Sequence, residues 1–346
     1  MTTGRRRVAC LPGDGIGAEV AAEAIRVLER LPLDVEVEVY AFGGAAIDTH
    51  GDPLPPETLA ACVASDAVLL GAVGAPRFDR AEVRPEQGLI RLRRELDVYA
   101  NLRPARQGDV DLLIVRELVG GLYYGARGTR DDGTVYDTLE YTREQIDRVV
   151  RRAFELARGR RRHVTSVDKA NVLLTSRLWR EVVDEVAVAY PDVERADQLV
   201  DSAAMRLVTH PHEFDVVVTE NTFGDILSDV AAAVAGGLGV AASASLGDGG
   251  PGIFEPVHGS APDIAGRGIA NPTAMLRSVA LMLRHGLDEP ELSDALDAAV
   301  DAAMTVAPTV DLGGTASTSD LTDAVLDHVA AAAKEESWKS HAQSAT

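Results

Sequence analysis

The sequence has little cysteine and no long hydrophobic run. Only Cys10 and Cys62 occur in 346 residues, which is too few for the disulfide framework of a small secreted protein. Cys10 lies in an apolar run, where a small buried thiol is the natural interpretation. No apolar stretch approaches the roughly 20 residues that span a bilayer, so no membrane segment is predicted. The apolar stretch at 8–11 ends at Pro12 and is too short for a signal peptide, so we expect a cytoplasmic protein.

Positive charge is also in deficit. The chain has 34 Lys and Arg residues against 54 Asp and Glu residues, for a formal net charge of -20. A surface of this sign repels nucleic acid and anionic membranes, so neither is expected as a partner. The one basic cluster, at 158–163, closes a helical pattern. Cations there complement the helix dipole, which favours a structural interpretation over a nucleic-acid patch.

Short apolar runs alternate with longer segments of helical period, which is typical of an α/β protein with a largely parallel sheet. With 346 residues, 46% of them hydrophobic, the chain can form one large domain or two ordinary ones. At 35–40 valine alternates with glutamate, which predicts a half-wet strand near a sheet edge. Buried strands are predicted at 8–11, 67–73, 112–115, 164–167, 214–218 and 253–257.

Apolar faces predict helices between these strands. One face consists of Val20, Ala24, Val27, Leu28 and Leu31. Another consists of Ile146, Val149, Val150, Ala153 and Ala157. Thr142 and Gln145 form a possible capping box at the start of the second helix. The polar tail at 334–346 is predicted to be disordered.

Polar residues directly follow three of the predicted strands. Ligands of open parallel sheets bind beyond the carboxyl ends of the strands, so three such ends together indicate a site. Each end taken alone is more often just a solvated strand terminus. The residues are Arg116 and Glu117 after the strand at 112–115, Asp168 and Lys169 after the strand at 164–167, and Thr219, Glu220 and Asn221 after the strand at 214–218.

The segment 86–97 is predicted to form a helix on which Glu86, Leu89, Ile90 and Arg93 share one face. A helix that packs on the core would explain Leu89 and Ile90 but not Arg93. A pocket for an anion with an aliphatic branch would explain all three.

Asp225 and Asp229 lie four residues apart at the start of another predicted helix. Two like charges on one face are mildly destabilising unless they are neutralised. A divalent cation would neutralise them, and carboxylates without nearby Cys or His suit Mg²⁺ or Mn²⁺. An acidic helix start favoured by the dipole is the equally open alternative.

The glycine-rich turn at 13–18 follows a predicted strand and opens a helix, so it fits the loose dinucleotide fingerprint. Glu36 and Glu38 lie about 20 residues further on, but inside a half-wet strand and not at its end. The fingerprint is therefore a weak indication of a Rossmann phosphate loop.

Longer motifs carry a resemblance to a known family. The chain contains LPGDGIG at 11–17, NLRP at 101–104, RELVGGLY at 116–123, SVDKANV at 166–172, NTFGDILSD at 221–229 and EPVHGSAPDIAG at 255–266. In this order they resemble the β-decarboxylating dehydrogenases, which act on isopropylmalate, isocitrate, homoisocitrate, tartrate or malate. The resemblance implies an isocitrate/isopropylmalate dehydrogenase-like fold, with two α/β domains around a large mixed sheet, and not the usual Rossmann fold. It places the cofactor-binding domain at 1–99 plus 237–333 and the dimerisation and metal domain at 100–236.

The resemblance also implies roles for individual residues. Arg93, Arg103 and Arg116 match the arginines that grip the two malate carboxylates, which suits the fork of a guanidinium group. Lys169 matches the lysine that acts in removing the hydroxyl proton, and Tyr123 matches the acid that protonates the enol. The metal ligands that match are Asp225, Asp229 and Asp201, of which Asp201, like Lys169, is supplied by the other subunit of a homodimer.

Substrate and cofactor preference are likewise expected from matched positions. Leu89, Ile90 and Val172, beside Glu86, match positions that face the substrate's side chain, and an aliphatic lining favours isopropylmalate over a third carboxylate. The expected reaction is the NAD-dependent oxidative decarboxylation that yields 4-methyl-2-oxopentanoate in leucine biosynthesis. The Asp263 carboxylate favours NAD over NADP because it repels a 2′-phosphate. Cofactor-binding positions are matched by Ile16, Glu255, His258, Gly259, Ser260, Ala261, Asp263, Ile264 and Asn271.

Two alternatives and one departure accompany this prediction. A D-malate or tartrate dehydrogenase with a permissive pocket would share the same catalytic residues. A non-catalytic nucleotide-binding module would have no need of the full set of arginines, tyrosine, lysine and aspartates. Only 12 residues separate Arg103 from Arg116, where the family has a longer connection. Surface loops tolerate deletion, so we expect the chemistry to be kept and the local geometry around Arg103 to differ.

Overall fold

The computed structural model describes the backbone of residues 5–344 and the side chains of residues 5–331. The strands are β1 (Arg6–Gly13), β2 (Val35–Val39), β3 (Ala67–Ala72), β4 (Ala100–Gln107), β5 (Val110–Glu117), β6 (Arg127–Thr129), β7 (Val135–Asp137), β8 (His163–Asp168), β9 (Glu194–Leu199), β10 (Val216–Thr219), β11 (Ala242–Leu246) and β12 (Gly252–Pro256). The helices are α1 (Gly17–Leu28), α2 (Gly43–His50), α3 (Pro56–Ala64), α4 (Pro85–Glu95), α5 (Arg143–Arg158), α6 (Leu174–Ala187), α7 (Val200–Thr209), α8 (Asn221–Val234), α9 (Thr273–His285), α10 (Pro290–Val306) and α11 (Thr318–Ser344).

The chain forms two compact units. The first unit contains Met1–Leu96, Gly239–Ala244 and Gly249–Thr346, and the second contains Asp97–Leu238 and Ser245–Asp248. The disorder expected at 334–346 stays a prediction. The last two residues of this segment, Ala345 and Thr346, lie outside the described part of the chain. Among residues 5–344, no helix is both long and apolar enough to cross a bilayer.

The first unit is built on parallel strands in the order β2-β1-β3-β12. Strand β2 lies at the edge of the sheet, as its alternating valines and glutamates predict. Helix α1 packs its apolar face inward, and Val20, Ala24, Val27 and Leu28 are fully buried. The predicted strands and helices in this unit are confirmed, except that α1 ends at Leu28 and Leu31 lies beyond it.

The second unit has strands in the order β4-β5-β10-β8-β9, in which β4 runs antiparallel to β5 and the other pairs are parallel. Thr142 caps α5, and its side chain accepts from Gln145 N while the Gln145 side chain accepts from Thr142 N. The expected capping box is therefore confirmed. Both units alternate strands with helices, which confirms the α/β class, and the β4–β5 pair makes the second unit's sheet mixed.

Arginines of the basic cluster at 158–163 form ion pairs with carboxylates of the second unit. Arg158 forms an ion pair with Asp192 at 2.7 Å, and Arg160 forms one with the buried Asp215 at 2.8 Å. Only Arg158 lies in the last turn of α5. Ion pairing, more than the helix dipole, therefore accounts for these cations.

Candidate active site

The shortened connection between Arg103 and Arg116 is a tight hairpin. Gln107 pairs with Val110 across a two-residue turn, in which Gly108 has a φ of +55°. A positive φ is what glycine supplies in such turns at little cost. The register sets Arg103 opposite Ile114 and Asn101 opposite Arg116. Because side chains two residues apart share a face of a strand, the two arginines lie on the same face of the hairpin.

These arginines contact the two aspartates of α8. Arg103 Nη1 lies 3.3 Å from Asp229 Oδ1, and Arg103 Nη2 lies 3.7 Å from Asp225 Oδ1. Arg116 Nη1 also donates a hydrogen bond to Asp225 Oδ1. The like charges of the aspartates are thus balanced by guanidinium groups. The charge argument for a metal, taken from sequence, therefore needs correction, because the protein's own arginines already neutralise this helix face.

Arg116 is held on a second side by Asn221, the first residue of α8. The Asn221 amide oxygen accepts from Arg116 Nε at 3.0 Å and from Arg116 Nη2 at 2.7 Å. Gly224 makes this approach possible, because a Cβ at that position would lie 2.6 Å from Arg116 Cγ. Arg116 is 2% exposed. The sequence marks Asn221 only as a polar strand end and does not predict its contact with Arg116.

Tyr123 lies in a short 3-10 turn, Gly121–Tyr123, and its side chain contacts Asp225. Its hydroxyl donates to Asp225 Oδ2 at 2.9 Å. Burial, followed by the charge of Asp225, raises the pKa of the Tyr123 phenol. The tyrosine therefore carries its proton at neutral pH, which is the state that a general acid needs.

Asp225 and Asp229 offer a donor set that fits a hard divalent cation, since carboxylate oxygens are the ligands that Mg²⁺ and Mn²⁺ prefer. Burial raises the pKa of the Asp229 carboxyl, and the charge of Asp225 adds to the effect. Among the described residues of one chain, no three His, Cys, Asp or Glu side chains lie together as metal ligands. A third carboxylate ligand for the metal is therefore not found beside Asp225 and Asp229 in the described part of this chain.

Asp201, the third expected ligand, lies beside Lys169. Lys169 Nζ donates to Asp201 Oδ1, and this hydrogen bond holds the pKa of the Asp201 carboxyl below its usual range. The lysine follows Asp168, a buried carboxylate that accepts two bonds from Arg180 at 2.9 Å. Val172 follows in the same segment and is 63% exposed. Sequence reasoning identified the lysine and the aspartate, but not their contact with each other.

In the first unit, α4 carries the expected aliphatic surface. The residues that α4 buries are Pro85, Gly88 and Leu92, whereas Leu89 is half-buried and Ile90 is 37% exposed. Ile90 is therefore not a core residue, and the core-packing interpretation of this face is wrong for it. Arg93 forms an ion pair with Glu255 at 2.7 Å, and both side chains are largely buried.

The glycine turn after β1 is fastened by its own aspartate. The buried Asp14 carboxylate accepts from three backbone amides, those of Gly44 and Gly74 at 3.0 Å and that of Ala45 at 3.1 Å. Two of these amides belong to the first turn of α2, a position that attracts anions. Asp14 therefore supplies the negative charge here, in agreement with the expectation that the turn only resembles a Rossmann phosphate loop.

The expected cofactor loop packs against this turn. Ile16 N donates to Ser260 O at 2.8 Å, and a Cβ on Gly15 would lie 1.9 Å from the same oxygen. Glu19, in the first turn of α1, accepts from the backbone amides of Gly266 and Gly268. The loop is thus tied to the turn before α1 through Ser260, and to the first turn of α1 through Gly266 and Gly268. No pattern in the sequence predicts this role of Glu19.

Polar groups in the loop fit a bound nucleotide. His258 Nε2 is buried and has no hydrogen-bond partner among the described residues, while Nδ1 lies 2.9 Å from Gly259 O. Burial lowers the pKa of His258, so the ring is neutral at neutral pH. A buried ring nitrogen without a partner is costly, and a cofactor could satisfy it. Asn271 donates to Asp311 at 2.9 Å, and Asp263 is exposed.

Together the fold and these clusters define an α/β enzyme suited to an anionic substrate, with paired arginines, a protonated tyrosine and adjacent carboxylates. A sequence model described as isocitrate/isopropylmalate dehydrogenase matches residues 7–325, and the chain belongs to that family. The resemblance found in the motifs is confirmed.

Similar proteins support the same assignment. The chain is 52% identical over 351 residues to a 3-isopropylmalate dehydrogenase of Anaeromyxobacter dehalogenans, covering 94% of this chain and 99% of that protein. It is 48% identical over 344 residues to a 3-isopropylmalate dehydrogenase of Streptococcus thermophilus, with coverage of 94% and 99%. A solved isocitrate dehydrogenase of Methylococcus capsulatus matches with a TM-score of 0.87 and 37% identity, over 94% of this chain and 99% of that one. A solved β-decarboxylating dehydrogenase of Thermococcus kodakarensis matches with a TM-score of 0.82 and 41% identity, with coverage of 94% and 96%.

Proposed function

We propose that the protein catalyses the NAD-dependent oxidative decarboxylation of 3-isopropylmalate to 4-methyl-2-oxopentanoate and carbon dioxide, a step in leucine biosynthesis. The observation that carries this choice within the family is the surface of α4, where Leu89 and the exposed Ile90 precede Arg93. A third substrate carboxylate would find no polar partner on those two side chains. Relatives about 50% identical over nearly the whole chain carry the same activity in their names.

The roles proposed for the chain's own residues follow from their contacts. Arg103 and Arg116 lie on one face of the hairpin and bind the malate carboxylates, exchanging part of their present pairing with Asp225 for the substrate. Arg93 acts as a further carboxylate-binding cation. Tyr123 keeps its proton through burial and protonates the enol carbon. Lys169 removes the proton of the substrate hydroxyl.

We assign NAD to the loop at 255–271 and Mg²⁺ or Mn²⁺ to Asp225 and Asp229. When bound, NAD accepts the hydride, and the metal stabilises negative charge on the substrate oxygen. The unpartnered ring nitrogen of His258 supports the cofactor site, and the exposed Asp263 disfavours the 2′-phosphate of NADP. A cytoplasmic location stays a prediction.

We infer that the enzyme is a homodimer in which Lys169 and Asp201 serve the neighbouring subunit's site. Apolar side chains are exposed on the helices that carry the aspartates: Met205 is 61% and Val208 is 59% exposed on α7, and Ile226 is 59% exposed on α8. A second copy of the chain would cover them, as exposed apolar patches usually mark an interface. Sedimentation equilibrium should give twice the mass of one chain, and a monomer at micromolar concentration would contradict the inference.

A substrate panel tests the function. The purified protein is given NAD with 3-isopropylmalate, D-malate, tartrate, isocitrate or homoisocitrate, each with Mg²⁺ or with a chelator. We expect the highest kcat/KM for 3-isopropylmalate and no NADH formation in chelator. A higher kcat/KM for D-malate or tartrate would assign a permissive malate-type enzyme instead, and a higher value for isocitrate would contradict the aliphatic pocket.

A further inference from the structure

The Gly120-Gly121 pair in the RELVGGLY motif has a neighbour that the proposed chemistry does not use. The Tyr141 ring lies against both glycines: a Cβ on Gly120 would fall 2.6 Å from Tyr141 Cε1, and one on Gly121 would fall 2.5 Å from the hydroxyl oxygen. Any larger residue at either position would displace the ring. The two glycines thus allow Tyr141 to approach the backbone of the turn that carries Tyr123.

The Tyr141 hydroxyl joins the two segments that form the site. It donates to Glu117 Oε2 at 3.0 Å and accepts from Asn221 N at 3.0 Å. Glu220 Oε2 lies further away, at 3.5 Å. A phenol has only one proton to donate, so the shorter distance assigns it to Glu117. Tyr141 is therefore a bridge between the end of β5 and the start of α8.

Glu117 continues the bridge into the Tyr123 turn. Its fully buried carboxylate accepts from the backbone amides of Val119 and Gly120, both at 2.9 Å. On the other side, the Asn221 side chain donates to Gly120 O at 2.9 Å and accepts from Arg116. Every polar group of this network therefore fixes either the turn or the arginine that flanks Asp225.

We propose that Tyr141 is a positioning residue of the dehydrogenase site: through Glu117 and Asn221 its hydroxyl sets the turn at 118–123, so that Tyr123 remains on Asp225. The proposal rests on the proposed function. The bonds of its hydroxyl to Glu117 and to the Asn221 amide lead to the turn, so its effect passes through Tyr123. Its ring is further held by an edge contact with Trp179, at 6.0 Å between centroids.

Tyr141→Phe is the sharpest test, because it removes the hydroxyl and keeps the ring against the glycines. With 3-isopropylmalate we expect kcat to fall about tenfold and KM to stay within about twofold, since the misplaced group acts in the chemical steps. The variant combined with Tyr123→Phe should be no slower than Tyr123→Phe alone. Tyr190→Phe, a hydroxyl loss elsewhere in the same unit, is the matched control and should leave kcat unchanged.

Amide hydrogen exchange tests the role of Tyr141 independently of the proposed function. In Tyr141→Phe the amides of Val119 and Gly120 should exchange faster than in Tyr190→Phe, whatever substrate the enzyme uses. If the wild type does not oxidise 3-isopropylmalate but this exchange difference appears, the function is wrong and the bridge stands.

An unchanged kcat, independent losses in the double variant, or equal exchange in the two tyrosine variants would overturn the role of Tyr141. If Tyr141→Phe does not fold, Glu117→Gln gives the same three measurements. An amide has one acceptor oxygen where the carboxylate has two, so the losses expected are in the same direction.

Discussion

Opposite charges hold the candidate site residues in place in both units. Arg93 and Glu255 pair at 2.7 Å with side chains that are 14% and 11% exposed, and the Arg116 side chain, on Asp225, is 3% exposed. Removing one member of such a pair leaves an uncompensated charge and costs several kcal/mol. Alanine variants of these residues therefore lose folding stability as well as binding. Side chains that carry no charge give cleaner tests of specificity.

Leu89 provides such a test. Losing apolar contact with a branch of the isopropyl size costs about 1 to 3 kcal/mol of discrimination. Leu89→Ser should therefore lower the ratio of kcat/KM for 3-isopropylmalate to that for malate by roughly ten- to two-hundredfold. Arg93→Ala should reduce both values alike, because both substrates carry the carboxylate that it binds.

Val83→Ser is the matched control for this test, since Val83 is an exposed aliphatic residue just before α4, 38% accessible. It should leave the ratio unchanged. If Leu89→Ser also leaves the ratio unchanged while the protein stays folded, the aliphatic surface of α4 does not select the substrate.

Glu117 gives the stability a predictable dependence on pH. Burial raises the pKa of its carboxyl from 4.5 to about 7, although three hydrogen bonds oppose the shift. The folded state then holds a proton that the unfolded state has lost, so this residue's contribution to stability declines as pH rises from about 4.5 through about 7. Glu117→Gln removes that decline. Relative to wild type, its free energy of unfolding should rise between pH 5 and pH 8 by on the order of 3 kcal/mol.

Urea unfolding at several pH values measures this difference. The exposed Glu144→Gln in α5 is the control and should track the wild type across the range. A constant difference between Glu117→Gln and wild type would show that the Glu117 carboxyl titrates alike in the folded and unfolded states.

At the level of elements, the turn after β1 depends on one carboxylate. Asp14 accepts from three backbone amides that belong to α2 and to the segment after β3. Asp14→Asn exchanges one acceptor oxygen for a donor group, which leaves a buried amide without a partner. We expect a loss of about 2 kcal/mol in the free energy of unfolding, measured by chemical denaturation.

Asp48→Asn is the comparison for Asp14, because Asp48 pairs with Arg77 where both side chains are more than half exposed. Surface pairs contribute about 0 to 1 kcal/mol. Equal losses in the two variants would contradict the anchoring role of Asp14.

The elements that could be predicted from the sequence are those with a strong apolar pattern. Strands such as β3 and β10 are continuous Val-, Leu- and Ala-rich runs, buried along their whole length. Strand β9 was missed because its sequence, ERADQL, is polar and lies at the sheet edge. Strand β4 was missed because Arg103 and Pro104 interrupt its pattern, and its hairpin partner supplies the register that the sequence could not.

The candidate site likewise contains residues that could be predicted from the sequence and one that could not. Arg116, Asp225 and Tyr123 could be named from motifs, since chemistry restricts the residue types at those positions. Tyr141 could not, because it is 24 residues from Glu117 and 80 from Asn221 in the chain. A bridging hydroxyl leaves no periodic or local signal. The sequence indicates it only through the Gly120-Gly121 pair, because the Tyr141 ring packs against both glycines.

For the whole molecule, the main prediction is that active sites are shared between two chains. Lys169→Ala and Asp225→Asn subunits should each be inactive alone. In a mixed dimer, one site receives both lesions and the other receives neither. After random exchange we expect about a quarter of wild-type activity, because half of the dimers are mixed and each has one intact site.

Subunit exchange itself must be followed independently, for example by mass-tagged chains. Two Lys169→Ala preparations mixed with each other serve as the control and should stay inactive. If tagged chains exchange and the mixture of the two different variants still has no activity, Lys169 serves its own chain's site and the shared-site inference is wrong.

As a member of this family, the enzyme is expected to couple oxidation of 3-isopropylmalate to its decarboxylation. The direct measurement is the yield of NADH and of carbon dioxide from a known amount of 3-isopropylmalate, with Mg²⁺ and excess NAD, together with identification of the organic product. We expect equal amounts of NADH and carbon dioxide, and 4-methyl-2-oxopentanoate as the product. NADH without carbon dioxide, or no reaction with 3-isopropylmalate while another 2-hydroxy diacid is consumed, would contradict it.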